Sequence, residues 1–171
     1  MKTYVITLSQ QFPAKHPRKG DPTKFKDNVC TAIFYCKGWD GTHPNQLPSA
    51  LKYYTVRGNC ELWEKRFAKI YRGEACLSVR IWTGKPYNSP QKEIARLTRE
   101  DGIGLQKIRL VEGNLSGDGV EMYFETEEGK RIDGRRLAAR DGLTFSDWLP
   151  FFKGHNFMEP LAIIHFTPFR Y

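Results

Sequence analysis

The sequence predicts a single α+β domain, and three observations carry that expectation. Short alternating segments of β-branched, aliphatic and aromatic residues are spread along the whole chain. Capped helical patterns interrupt them. No internal repeat, low-complexity tract or linker divides the 171 residues, a length that buries a proper core without metal or disulfide support.

Residues 3–9 alternate and are rich in β-branched types, which makes a first strand. Residues 10–21 carry Pro13, Pro17 and Gly20 and read as a loop. Its cluster of Lys15, His16, Arg18 and Lys19 either grips phosphate or stays solvated. Pro22 and Thr23 open a helix that runs through Phe25, Val29, Ile33 and Phe34 to Lys37 and stops at Gly38. A second long loop, 39–48, leads to the stretch 51–59. Asn59 is a good N-cap, and Leu62, Trp63, Phe67 and Ile70 keep helical spacing up to Gly73, with Trp63 assigned to the core. Ala75–Trp82 is a strand with Leu77, Val79 and Ile81 inward and Cys76, Ser78, Arg80 and Trp82 on the other side. Strands at 91–97 and 104–111 flank a polar link at 98–102, and 112–119 is a turn. Residues 120–125 and 130–132 make a hairpin closed by Glu127, Glu128 and Gly129. A short helix at 135–140 ends at Asp141-Gly142. Thr144 and Asp147 have the spacing of a capping box ahead of Phe145, Trp148, Leu149 and Phe152. Leu161–Phe166 is a last, apolar, central strand.

The formal net charge is +8 and the sequence pI about 9.4, so the surface favours an anionic partner, with nucleic acid the commonest candidate. Four cysteines, at 30, 36, 60 and 76, show neither a Cys-x-x-Cys pair nor zinc spacing, and read as free thiols in a reducing compartment. The N-terminal apolar run is too short for a signal peptide and no later run is long enough to cross a membrane, so the chain reads as cytoplasmic and membrane-free; its oligomeric state is open, with a monomer favoured. A Walker loop, Gly-x-Gly-x-x-Gly, His-Glu-x-x-His and Gly-x-Ser-x-Gly are all missing, which weighs against phosphoryl transfer, hydride transfer and zinc hydrolysis. No metal site and no cofactor are expected.

The stretch 51–59 holds the chemistry. Along a regular strand Tyr53, Thr55 and Arg57 share one side and Lys52, Tyr54 and Val56 the other. Lys52 and Thr55 converge only if the chain bends between them, which would set an ammonium, a hydroxyl and a guanidinium at one pocket; without a bend these are solvated cations on an amphipathic strand. Further along, Arg80 and Trp82 lie beside a turn that adds Lys85 and Tyr87. Cations interleaved with flat rings suit single-stranded nucleic acid, because rings stack on bases while cations meet phosphates; the same ring also suits a rim that covers the end of a barrel.

Lys52-Tyr53-Tyr54-Thr55-Val56-Arg57, a helix ending at Gly73, the strand after it, then Ala139-Arg140-Asp141-Gly142-Leu143-Thr144-Phe145-Ser146-Asp147-Trp148 and the strand 161–166 together resemble the ASCH domain. The resemblance spans nearly the whole chain in order, with Lys-x-x-Thr-x-Arg as its most specific element. It implies a small PUA-like β-barrel with flanking helices, carrying two inserts at about 13–46 and 113–132. It also implies a cleft for RNA or a modified nucleobase. Taken with the basic balance and the interleaved rings, the binding reading assigns nucleic-acid contact to Lys52, Arg57, Arg80, Trp82, Lys85, Tyr87, Arg18 and Lys19, with DNA a further candidate.

Some members of that family are amidohydrolases that remove an acyl group from a modified cytidine, such as N4-acetylcytidine. The matching positions here are Lys52 as base, Thr55 as nucleophile and Asp141 as proton relay. Asp141 stands where the family carries glutamate, one methylene or roughly 1.5 Å longer. A protein of interaction only, with a vestigial cleft, is the third alternative, since a fold does not fix a function.

Overall fold

The computed structural model describes residues 1–39, 43, 46–114 and 121–171. Parts of the loop at 39–48 and of the turn at 112–119, both expected from the sequence, lie outside the described residues. The elements run β1 (Lys2–Leu8), α1 (Phe25–Cys36), β2 (Tyr54–Arg57), α2 (Cys60–Tyr71), β3 (Ala75–Trp82), β4 (Gln91–Leu97), β5 (Gly104–Asn114), β6 (Glu121–Thr126), β7 (Arg131–Asp133), α3 (Gly134–Arg140), α4 (Phe145–Trp148) and β8 (Leu161–His165). The α+β class holds.

Among the described residues eight strands form two sheets. One has the order β1-β3-β4, with β1 and β3 parallel; the other is β2-β8-β5-β6-β7, antiparallel throughout. Among the described residues no ladder joins the two. A parallel pair needs a crossover, and here α1, β2 and α2 lie between β1 and β3 in sequence. β8 is paired on both sides and all five of its residues are buried, which explains its continuous apolar run. Its alternate residues serve two cores. Ala162 and Ile164 join Ile6, Leu77, Val79, Trp63 and Phe67 in the first; Leu161 and Ile163 join Ile108, Phe124, Leu137 and Trp148 in the second.

Several local boundaries have physical causes that the sequence pattern hides. Helix α1 begins at Phe25, two residues after Thr23, because Thr23 is tied to the end of β1: its Oγ1 donates to the Ser9 carbonyl at 2.6 Å and accepts from Phe25 N–H at 3.3 Å. β5 continues to Asn114, past a register shift between Leu110 and Glu112. Val111 at that irregularity is exposed, and the alternation breaks there.

The segment 121–133 is more than an appended hairpin, since Met122, Phe124 and Ile132 are buried in the second core. At α4 only half of the expected capping box forms. Thr144 accepts from Asp147 N–H at 3.2 Å, but the Asp147 carboxylate turns to Arg18 at 2.7 Å instead of back to the cap. Cys30 is exposed, and Cys36, Cys60 and Cys76 are buried free thiols. No helix among the described residues is long and apolar enough to cross a membrane.

Candidate functional site

The chain bends at Tyr53, just ahead of β2. Tyr53 therefore packs with Tyr54 in the second core rather than beside Thr55 and Arg57. Lys52 forms an isolated antiparallel bridge with Asp141, and Thr55 and Arg57, two residues apart on β2, share the opposite face from Tyr54 and Val56. Lys52, Thr55, Arg57 and Asp141 line one cleft of about 1100 Å³. That is slightly above the usual range of small-ligand sites, roughly 300–1,000 Å³.

The floor of the cleft is a buried ion pair. Lys52 Nζ donates to Asp141 Oδ1 through a very short contact and to the Asp141 carbonyl at 3.0 Å. Asp141 Oδ2 accepts from Trp148 Nε1–H at 3.0 Å. The ammonium also sits over the Phe25 ring, 4.1 Å from its centroid. Burial drives both partners toward their neutral forms: it lowers the Lys52 ammonium and raises the Asp141 carboxyl, while each one's charge opposes the shift of the other. Arg57 is half-buried, its Nη2 donates to the Thr7 carbonyl at 3.3 Å, and burial lowers it against the pull of Asp141.

Local sequence explains this floor. Asp141 closes α3, and Gly142 follows with φ +81°. A left-handed residue is the usual stop of a helix. Glycine suits the position on a second count, because a Cβ at 142 would lie 3.2 Å from Cβ of Lys52, tighter than most such contacts. The tight exit lets Thr144 start α4 at once, and α4 then carries Trp148 back onto the carboxylate.

The rim comes from three other segments. Trp82 ends β3, and its ring meets Tyr87 of the next turn at a centroid distance of 5.3 Å. Lys85 lies in that turn. The 10–21 loop adds Phe12 and Lys19 and is held down by His16, which is buried, stacks on Phe12 at 4.3 Å and hydrogen-bonds the Asp147 carbonyl through Nε2 at 2.8 Å. The third segment supplies Phe151, Phe152, Lys153 and His155. The cleft lining thus carries five cations, Lys19, Lys52, Arg57, Lys85 and Lys153, against one carboxylate, Asp141.

Of the residues singled out from the sequence, Lys52, Thr55, Asp141, Arg57, Trp82, Lys85, Tyr87 and Lys19 meet in this cleft. Arg80 does not; its Nε donates to Ser78 Oγ at 2.9 Å, beside Glu93. Arg18 lies across the wall, bonded to Asp21 and Asp147 and over the Phe12 ring at 4.8 Å. Sequence reasoning missed Phe25, Trp148 and His155 as site residues. The signal available for Trp148 was its place in the segment 139–148 that carries the resemblance; Phe25 and His155 had none. Among the described residues no cluster of His, Cys, Asp and Glu could hold a metal ion.

The fold and cleft define an α+β protein with a deep, cation-lined, aromatic-rimmed site. Comparison of the chain with protein-family models, with curated proteins and with solved structures finds no match.

Proposed function

We propose that the protein is a nucleic-acid-binding module related to ASCH domains, a PUA-like scaffold that takes a nucleobase of RNA into this cleft. The observation that carries the reading is the cleft's composition. A polar floor of Lys52, Thr55 and Asp141 can read a base edge, Trp82 and Tyr87 can stack on its face, and Lys19, Arg57 and Lys85 can meet phosphate. The test is fluorescence anisotropy of labelled single-stranded RNA, duplex RNA and duplex DNA at low and moderate salt. Binding should prefer single-stranded RNA, weaken steeply with salt, and weaken further in Arg57→Ala and Lys85→Ala. Absence of polymer binding, or binding indifferent to salt, overturns the reading.

A second reading rests on one specific feature, the contact of buried Lys52 Nζ with the Asp141 carboxylate. Burial lowers the Lys52 ammonium from its ordinary value, which makes it a better base than a solvated lysine. In this reading Lys52 takes the proton of the Thr55 hydroxyl, the threonine oxygen adds to the acyl carbon of an N4-acylated cytidine, and the carbon–nitrogen bond breaks as Asp141 relays that proton to the departing amine, leaving an acyl-threonine. Water completes the hydrolysis, giving the free amine and a carboxylic acid. The reading requires release of acid from N4-acetylcytidine, with a rate that rises with pH as Lys52 deprotonates and collapses in Thr55→Val. A Thr55→Val protein with unchanged turnover refutes it.

A further inference from the structure

A second groove of about 850 Å³ lies on the other side of the 10–21 loop. Phe12 and Leu143 line both it and the deep cleft, so the two share a wall. Its cationic members are Arg18, Lys24 and Arg135, and its single carboxylate is Asp147, already bonded to Arg18. Lys24 and Arg135 are exposed and make no ion pair among the described residues. Both cations thus stay available to a ligand, on a surface whose own carboxylate is taken.

The polar remainder also fits a strand. Asn28, Thr144 and Ser146 supply neutral hydrogen-bonding groups, and Phe145 lines the groove with a ring. Neutral polar groups, rings and unpaired cations along a groove are the equipment for a flexible, anionic, base-bearing chain. A protein partner would be expected to bring apolar anchors to a groove with fewer free cations.

We propose that the second groove is a subsite for the nucleotides that flank the base held in the deep cleft. The occupant is a single RNA strand that crosses the shared wall at Phe12 and Leu143 and sets its phosphates against Lys24 and Arg135. This inference rests on the nucleic-acid reading above and goes beyond it, because it makes the ligand a polymer segment rather than a lone nucleoside. Arg18, already bonded to Asp147 and Asp21, helps hold the 10–21 loop that separates the grooves.

The test measures anisotropy with uridine-rich RNA of two and of six nucleotides, for wild type, Lys24→Ala/Arg135→Ala and Lys24→Glu/Arg135→Glu. For wild type the longer strand should bind about tenfold tighter, the scale of two exposed charge contacts. In the alanine variant that gain should vanish, and the slope of log affinity against log salt should shrink by about 1.4, two contacts at roughly 0.7 each. The glutamate variant should bind the longer strand more weakly than the alanine one. Circular dichroism confirms that these exposed substitutions leave the fold intact. A length gain and salt slope identical in all three proteins overturn the second subsite while the deep-cleft reading stands. If neither strand binds wild type, both readings fall.

Discussion

Replacing Asp141 by asparagine isolates a charge in the floor of the cleft, and the cost can be worked from its contacts. The asparagine carbonyl can still accept from Trp148 Nε1–H, which now reaches the carboxylate at 3.0 Å. The amide NH₂ then faces Lys52 Nζ, donor against donor, in a site where both side chains are almost wholly buried. Removing one member of a buried pair costs about 3–5 kcal/mol, because the other charge is left without compensation. Lys52→Met should cost a similar amount, since it strands the carboxylate with only the indole. The double variant Lys52→Met/Asp141→Asn removes both charges and keeps the indole's acceptor, so it should be more stable than either single variant. The predicted coupling is about 3 kcal/mol or more.

Urea unfolding followed by tryptophan fluorescence measures all four corners of the cycle. The Asp141→Asn protein adds a pH signature. Losing the carboxylate removes the influence that holds Lys52 up, so its folded-state value falls further below the ordinary lysine value near 10.4. The unfolded chain then binds more protons across that window, and the variant's stability rises with pH there. Additive single costs, with coupling below about 0.5 kcal/mol, would refute the claim that the two groups act as one buried unit.

Three further outcomes follow from the structure. His165 is fully buried on the Tyr54 ring, with neither ring nitrogen hydrogen-bonded among the described residues, and burial holds it well below the usual histidine value. Stability should therefore be fully present above about pH 6.5 and fall below it, as the unfolded chain takes up a proton that the folded one refuses; His165→Leu should flatten that loss in acid melts. Gly142→Ala combines a positive φ with a close approach to Lys52 and should cost about 1–2 kcal/mol from the backbone alone, read as a lower urea midpoint with unchanged slope. Phe124→Ala should cost about 3–5 kcal/mol, because the ring is buried against Trp148 in the second core; a cost below about 1 kcal/mol would mean that the segment 121–133 is dispensable.

Legibility along the chain tracks how local each cause is. β3 and β4 fall at 75–82 and 91–97, where alternation places them, and Asn59 caps α2 as its type predicts, accepting from Leu62 N–H at 3.2 Å. Positive φ values at Gly38, Gly73 and Gly142 lie where the sequence stops its helices. These features depend on a few neighbouring residues. The starts and ends that differ have distant causes: Thr23 is held by β1, and the reciprocal arm of the α4 capping box is diverted by Arg18, 129 positions away.

The candidate site divides in the same way. Sequence alone determined the α+β class, most strands and helices, the chemical types in Lys52–Arg57, and the requirement for a bend if Lys52 and Thr55 are to meet. It also selected Asp141 through resemblance. Only the tertiary structure decided that the bend exists at Tyr53, that Lys52 and Asp141 are buried partners, that Trp148 and Phe25 enclose them, and that Arg80 and Arg18 stand outside the cleft. The physical reason is range. Propensity, alternation and capping act over a few residues, whereas a pocket is fixed by which faces of distant segments the two cores bring together, and 89 residues separate the two charges of its floor.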